Sequence, residues 1–269
     1  MPELPEVETI RRSLAPCIGA EIAGVYVREP RLRKPVDTEA LRQAVGQRIV
    51  GTLRHGKYLI LSLSGPHVLL LHFGMSGTLR IARSFRDLQE HDHVRFLFAD
   101  GRQCVFNDPR RFGLLWLGPR EKAAEIVSPG PDALGADFTP EYLYAVARRS
   151  SRAIKTLLLD QQVVAGIGNI YANEALYIAG IRPGRRARRL TRPEISRLHT
   201  SLRQVLEEAI VAGGSSIADF RDSNGRPGYF QLRFRVYDRA GEPCPRCQNP
   251  IRRSVHVGRS SFFCPCCQR

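Results

Sequence analysis

The chain has 269 residues, 43% of them hydrophobic and 25% charged, enough for one large domain or two medium ones, each with its own core. No apolar run approaches the ~20 residues of a membrane span, and a start with two prolines and three glutamates in eight residues is not a signal peptide, so a cytoplasmic address is expected. The formal charge of +15 is uneven, with 19 Lys+Arg against 17 Asp+Glu in residues 1–143 and 22 against 9 in residues 144–269, which points to a polyanionic partner, nucleic acid ahead of membrane.

The chain opens Met1-Pro2-Glu3-Leu4-Pro5-Glu6. Trimming of Met1 before so small a residue would leave Pro2 as a free secondary amine, whose pKa near ~8 makes it a partly uncharged nucleophile at neutral pH. Its attack on a sugar aldehyde carbon gives an iminium ion, cationic without a proton and therefore an electron sink, beside the Glu3 carboxylate. A plain N-terminal arm is the competing reading of this fragment. Residues 5–14 predict a short helix: Pro5 suits the first turn, Glu6 and Glu8 favour the N-terminus, and Val7, Ile10 and Leu14 share a face.

From about Glu21 to Leu117 the pattern alternates. Strands are predicted at 49–52, 58–62, 68–72, 78–81, 94–98, 103–106 and 114–117, separated by turns such as Gly65-Pro66 and Asp100-Gly101. This is the pattern of a mainly antiparallel sandwich or barrel. Residues 119–140, dense in Pro, Gly and charge, read as a linker. The second half is helical at first: residues 154–164 are apolar-periodic, Gly166-Ile167-Gly168-Asn169 interrupts, and residues 171–179 follow and stop at Gly180. Thr191-Arg192-Pro193-Glu194 is a capping-box pattern before a stripe of Ile195, Leu198, Leu202, Val205 and Leu206, which Gly213-Gly214 ends. Residues 215–229 read as a binding loop or lid, and 231–269 as a small β-rich module.

Four of the seven cysteines, Cys244, Cys247, Cys264 and Cys267, are spaced C-x2-C-x16-C-x2-C, which closes a tetrahedral thiolate cage for one structural Zn2+. Disulfides are disfavoured without a secretion signal. Cys266 lies between two ligands and could compete for the metal, whereas Cys17 and Cys104 read as small apolar residues. The cations are 37 Arg and 4 Lys, a bias that reflects genome composition but singles out Lys57 and Lys155 as places where a compact, flexible charge is wanted.

Gly166-x-Gly168-Asn169 between two helices can present N–H groups to a phosphate, or can be an ordinary interhelical turn. In Asn107-Asp108-Pro109-Arg110-Arg111-Phe112-Gly113 two guanidinium groups flank an aromatic, and Met75 sits in a similar turn, Phe73-Gly74-Met75-Ser76-Gly77. Apolar wedges beside arginines suit insertion into a base stack; Phe112 and Met75 as core residues are the alternative. Lys57 at a strand start can reach a phosphate, and His72 closes an apolar strand.

Taken in order, Met1-Pro2-Glu3-Leu4-Pro5-Glu6-Val7-Glu8-Thr9, His91-Asp92-His93-Val94, Asp108-Pro109-Arg110-Arg111-Phe112-Gly113, Gly166-x-Gly168-Asn169-Ile170-Tyr171, Pro227-Gly228-Tyr229-Phe230 and the four-cysteine tail resemble the bacterial formamidopyrimidine-DNA glycosylase family over essentially the whole chain. The resemblance implies a multidomain α+β fold: an N-terminal catalytic β-sandwich with an N-terminal helix (1–130), a helix–two-turn–helix DNA-binding domain with a lesion-recognition loop (131–230) and a C-terminal β-hairpin zinc finger (231–269), with DNA in the cleft between halves. It implies a monomeric, bifunctional DNA glycosylase/AP lyase of base excision repair. That enzyme would remove 8-oxoguanine and formamidopyrimidines from double-stranded DNA through a Schiff base on Pro2 and β,δ-elimination, in the cytoplasm at the nucleoid, with no catalytic metal.

Carried onto matching positions, Pro2 is the nucleophile and Glu3 the acid/base group. Lys57 lies near the lesion and its phosphate, and His72, Asn169 and Arg259 are further phosphate contacts, with Tyr171 beside them on the DNA-binding side. Met75, Arg110 and Phe112 fill the gap left by the flipped base, with Arg110 reading the opposite cytosine. Glu6, Lys155 and residues 215–229, including Ser215 and Tyr229, line the lesion pocket. Asn224, Ser215-Ser216 and Asp238 depart from the usual pattern, which bears on damage preference. Three rivals remain: an endonuclease VIII-like enzyme for oxidised pyrimidines, opposed by Leu4-Pro5 and the Arg110/Phe112 turn; a non-catalytic zinc-finger protein for damaged or bent DNA; and an RNA-binding ribosomal protein, which leaves the Pro-Glu start unexplained.

Overall fold

The first helix, α1 (Leu4–Ser13), is fixed by a reciprocal cap in which the Glu3 side chain accepts from the Glu6 N–H while Glu6 Oε2 accepts from the Glu3 N–H at 2.9 Å. Both carboxylates sit at the positive end of the helix, where they offset its unpaired N–H groups. The structure, a computed structural model, describes residues 2–84, 87–127, 129–216 and 220–269. It divides into two compact units, Met1–Val127 with Ala212–Tyr229, and Ser128–Val211 with Phe230–Arg269.

In the first unit, β1 (Ile22–Val27), β6 (Asp92–Phe98), β7 (Gln103–Asn107) and β5 (Thr78–Ala82) form one antiparallel sheet in that order. The other has the order β2 (Ile49–His55), β3 (Tyr58–Leu63), β4 (His67–His72), β8 (Leu114–Pro119), also antiparallel. Alternation sets the register: Leu59 pairs with Leu71 and Leu61 with Leu69, and Leu71 pairs in turn with Leu115 and Leu69 with Leu117. These leucines meet Val94, Phe96, Cys104 and Phe106 of the facing sheet, with Val7, Ile10 and Leu14 of α1, in one buried core. Of the sandwich and the barrel that the alternation left open, the sandwich that the resemblance implied is found. β1 was not picked out because Gly24 and its half-exposed residues weaken the pattern. A short α2 (Thr38–Arg42), capped by Asp37 Oδ1 accepting from the Ala40 N–H at 2.9 Å, went unexpected. The stretch read as a linker begins with α3 (Arg120–Ile126), made of good helix formers and packed on β4 and β8.

The second unit packs α4 (Pro140–Arg148) and α6 (Asn169–Ile178) against the long α7 (Arg192–Val211). α5 (Ile154–Leu159) is shorter than its apolar run, because Asp160 turns the chain: its Oδ1 accepts from the Gln162 N–H and its carbonyl from Val163. The α7 stripe is buried as expected, and Gly213 and Gly214 stop the helix with φ of +74° and +81°, the left-handed region open to glycine. β9 (Arg252–His256) and β10 (Arg259–Phe263) form the C-terminal hairpin. Buried Glu174 on α6 accepts N–H bonds from Arg235, Val236 and Tyr237, each at 2.9 Å, and Asn173 Oδ1 accepts from Phe262 at 2.8 Å, which fastens the hairpin module to the helix. Among the described residues no helix is long and apolar enough to cross a membrane.

Glu8 secures α1 to the sandwich through Arg11 (2.8 Å), Arg12 (2.8 Å) and Arg54 (3.3 Å). Burial alone would raise its pKa, but hydrogen bonds from Arg11 and Arg12 and the charges of Arg11 and Arg54 lower it to about 2. The folded value lies below the ordinary one, so the cluster contributes fully above pH about 4.5 and its contribution is lost as pH falls through about 2. Arg12 is more than half exposed and screened, which limits the contribution to about 1–2 kcal/mol. Glu8→Gln is therefore expected to lower stability by that amount at pH 7, with the deficit closing in acid. Chemical denaturation across the pH range checks this, and a deficit independent of pH would refute it.

Candidate active site

In the first unit the sequence-predicted groups gather around α1 and two turns. Pro2 is buried, immediately before the Glu3–Glu6 cap; Met1 lies outside the described residues. Glu3 and Glu6 are both buried. Glu6 Oε1 also accepts from the Ser215 N–H at 2.8 Å, so one carboxylate links the helix start to the 212–229 segment. That segment is held again at Ser13, whose hydroxyl bonds Ser223 Oγ and accepts from the Ser223 N–H, while Ile81 N–H donates to the Ser223 carbonyl at 2.8 Å. Residues 217–219 of the predicted loop lie outside the described residues. Tyr229, at the far end, is exposed, and its N–H donates to the Ala212 carbonyl at 2.9 Å. Of the departures, Asp238 has φ +58°, and Asn224 sits in a turn closed on Asp222 Oδ1.

Lys57 occupies the two-residue turn between the paired ends of β2 and β3, and is nearly buried. His72 ends β4, with its ring 4.9 Å from that of Tyr58. Burial, with the Lys57 and Arg33 charges, lowers the His72 pKa to about 4, so the ring is neutral at physiological pH. Its Nδ1 accepts from the Gly74 N–H at 3.0 Å, which places the ring proton on Nε2 as a donor.

The turns carrying Met75 and Arg110–Phe112 form one structure. A Cβ on Gly74 (φ +57°) would fall 2.4 Å from the Phe112 carbonyl carbon, so only glycine lets the two backbones approach. Fully buried Asp108 ties them: Oδ1 accepts from Ser76 Oγ at 2.6 Å and Oδ2 from the Gly113 N–H at 2.7 Å, while Ser76 Oγ accepts from the Arg110 N–H at 3.2 Å. The result exposes Met75 and Phe112, with the Arg110 guanidinium carbon 4.9 Å from the Phe112 ring centre. The polar frame thus holds two apolar groups out in water, the form that insertion into a base stack would need.

In the second unit, Asn169 opens α6 after a turn braced by Gln161, which donates to the Leu159 and Ile167 carbonyls and accepts from the Gly166 N–H. Asn169 Oδ1 is buried without a hydrogen-bond partner among the described residues. A cavity of about 400 Å³ beside it is lined by Tyr237, Asp238, Arg253 and Ser260. Arg259 is exposed at the start of β10. Lys155 and Tyr171 are fully buried: Lys155 Nζ donates to the Ser260 carbonyl at 2.5 Å and Ser261 Oγ at 2.9 Å, and the Tyr171 ring meets Phe230 at 5.5 Å. Lys155 is thus bonded to the hairpin and Tyr171 packed on the Phe230 ring. Sequence reasoning missed Asp108, Ser76 and Gln161 as frame residues and Tyr237 and Arg253 beside Asn169. Asp108 alone carried a signal, as the one carboxylate inside a basic turn.

The Cys244, Cys247, Cys264 and Cys267 sulfurs lie within 4.8 Å of one another, with Cys244–Cys267 at 3.8 Å and Cys247–Cys264 at 3.4 Å. Tetrahedral thiolates on zinc stand roughly 3.8 Å apart, so the set fits the ion. N–H groups of Arg246 and Cys267 donate to Cys244 and Cys264 sulfurs, as second-sphere donors do, and Cys266 is exposed outside the cage.

Comparison with known proteins agrees with this layout. The family model for the formamidopyrimidine-DNA glycosylase N-terminal domain matches residues 1–115, that for its H2TH domain residues 129–221, and that for a zinc finger found in FPG and IleRS residues 241–269. The cysteine cage is accordingly a structural zinc site. Formamidopyrimidine-DNA glycosylase of Thioalkalivibrio sulfidiphilus is 46% identical, covering all of both chains. Among solved structures, the MutM (Fpg) protein of Thermus thermophilus is 42% identical with a TM-score of 0.89, covering 99% of this chain and 98% of that one. A Lactococcus lactis Fpg mutant in complex with Fapy-dG-containing DNA is 35% identical with a TM-score of 0.92, covering 100% of each.

Asp108→Ala is expected to cost about 2–4 kcal/mol, because it strands the Ser76 hydroxyl and the Gly113 N–H, and Ser76→Ala about 1 kcal/mol. Urea midpoints measure both; an unshifted midpoint for Asp108→Ala would remove its assigned role.

Proposed function

The chain belongs to the formamidopyrimidine-DNA glycosylase family, and from that premise we propose that it excises oxidised purines through a covalent bond between Pro2 and the sugar. It is a DNA glycosylase of base excision repair acting on duplex DNA. The observation that carries the mechanistic reading is the cap at the start of α1, which holds Glu3 next to Pro2 and ties Glu6 to Ser215.

The damaged base must leave the stack, at a cost of a few kcal/mol that wedges and phosphate contacts offset. Met75, Arg110 and Phe112 fill the vacated space, with Arg110 reading the opposite cytosine. Lys57, His72, Asn169 and Arg259 hold phosphates, His72 through its Nε2–H without adding charge, and Tyr237 and Arg253 join Asn169. Glu6, Ser215 and Tyr229 belong to the lesion pocket, while Lys155 and Tyr171 serve by holding the hairpin and α6 in place.

With Met1 removed, the Pro2 nitrogen attacks C1′. The C1′–N bond to the base breaks, and the base leaves with the electron pair and a proton. Glu3 relays protons and assists opening of the sugar ring. The iminium carbon so formed acidifies the C2′ hydrogen; its removal expels the 3′ phosphate, and a second elimination expels the 5′ phosphate. Zinc supplies no step: four thiolates close its coordination, and it holds the hairpin bearing Arg259. The protein works as a monomer in the bacterial cytoplasm, on the nucleoid.

Borohydride reduction during reaction with an 8-oxoguanine:C duplex should give a covalent adduct that maps to Pro2 by mass spectrometry, and Pro2→Gly should reduce trapping. A crosslink on an internal amine would overturn the mechanism; trapping only on an oxidised-pyrimidine duplex would overturn the substrate.

A further inference from the structure

The second unit carries a charged surface that the cysteine cage and the Asn169 cavity do not use. Residues 148–153 run antiparallel to 185–188: the Arg188 N–H donates to the Ser150 carbonyl at 3.1 Å, Ala187 to Arg152 at 2.9 Å, and Ile154 to Arg185 at 2.8 Å. The Arg148 guanidinium closes the ladder on the Arg188 carbonyl at 2.7 Å. Fully buried Ala187 begins a single 3-10 turn, Ala187–Arg189, so the turn anchors inward at Ala187 and leaves Arg186, Arg188 and Arg189 exposed, with Arg149 exposed on the facing segment.

Among the described residues none of these four guanidinium groups has a carboxylate within 4.0 Å, while Asp160 is paired with Arg152 at 2.8 Å and Glu194 with Arg185 at 2.6 Å. In the first unit some exposed arginines are paired, Arg31 on Glu29, Arg42 on Glu39 and Arg48 on Glu21, while Arg33 and Arg110 have no ion pair among the described residues. A genome bias toward arginine explains abundance, but not the absence of acids. Between Glu141 and Glu194 the only carboxylates are Asp160 and Glu174, and Glu174 is buried on backbone N–H groups. Like charges fixed on a hydrogen-bonded ladder repel one another, and a polyanion relieves that repulsion.

We propose that Arg149, Arg186, Arg188 and Arg189 form a second duplex-DNA contact surface that binds backbone phosphates outside the lesion segment. The proposal rests on the glycosylase reading only in that the substrate is a long duplex. Guanidinium forks match phosphate oxygens without reading sequence, so the surface adds affinity for any DNA and lengthens each encounter.

The test compares the zinc-loaded full chain with the triple variant Arg186→Gln, Arg188→Gln, Arg189→Gln, and with a control of equal charge loss, Arg31→Gln, Arg42→Gln, Arg48→Gln. Binding to undamaged duplexes of about 12 and about 40 base pairs is measured against salt, and excision is followed on the shorter length bearing a lesion. On the long duplex the slope of log K against log salt should fall by about 2–3, with affinity down about tenfold or more at 0.1 M salt. Short-duplex binding and excision should hold, and the control should change little. Equal loss on both lengths would overturn the proposal by assigning the patch to the lesion interface, and no loss on either would return it to a solvated face. If the variant instead loses binding to poly-glutamate while keeping the duplex, the occupant is an acidic protein segment and the proposal fails. Absence of excision by the unmodified chain would sink the glycosylase reading and leave the duplex comparison intact.

Discussion

A carboxylate taken out of water must be met by hydrogen-bond donors, and the functional segments of this chain are held where such donors are their own main-chain N–H groups. Glu6 accepts from Glu3 and Ser215, Asp108 from Gly113 and the Ser76 hydroxyl, and Glu174 from Arg235, Val236 and Tyr237. An uncompensated buried carboxylate costs several kcal/mol, so none of these segments can drift without stranding a charge. Flexible-looking sequence, rich in Gly, Ser and Pro, is thereby given one geometry at the helix start, at the exposed wedges and at the entry to the zinc module.

The positive groups follow a complementary logic. Glu8 gathers Arg11, Arg12 and Arg54 into a structural cluster, whereas burial, with the Lys57 and Arg33 charges, keeps His72 neutral. A neutral imidazole whose Nδ1 is already bonded offers one fixed N–H, a directional donor that brings no further charge. In the second unit the zinc cage supplies order of a different kind, a local core of Cys244, Cys264, Tyr177, Val236, Ile251 and Phe262 too small to fold on apolar burial alone.

Much of this was legible beforehand, because it rests on local spacing. The alternation of leucines and phenylalanines determined an antiparallel sandwich or barrel, the apolar stripe of Ile195 to Leu206 determined α7, and the cysteine spacing determined the metal cage. The ordered motifs determined the family. Features resting on distant partners were not legible. Lys155, a candidate pocket residue by position, donates to Ser260 and Ser261, 105 and 106 residues away. Ser215 is fixed by Glu6 across 209 residues, and the two wedge turns meet only because Gly74 lets the Phe112 backbone approach. Periodicity records which face of an element is apolar, so it survives in sequence. Which donor finds a buried carboxylate depends on how the chain closes on itself, and only the tertiary structure decides that.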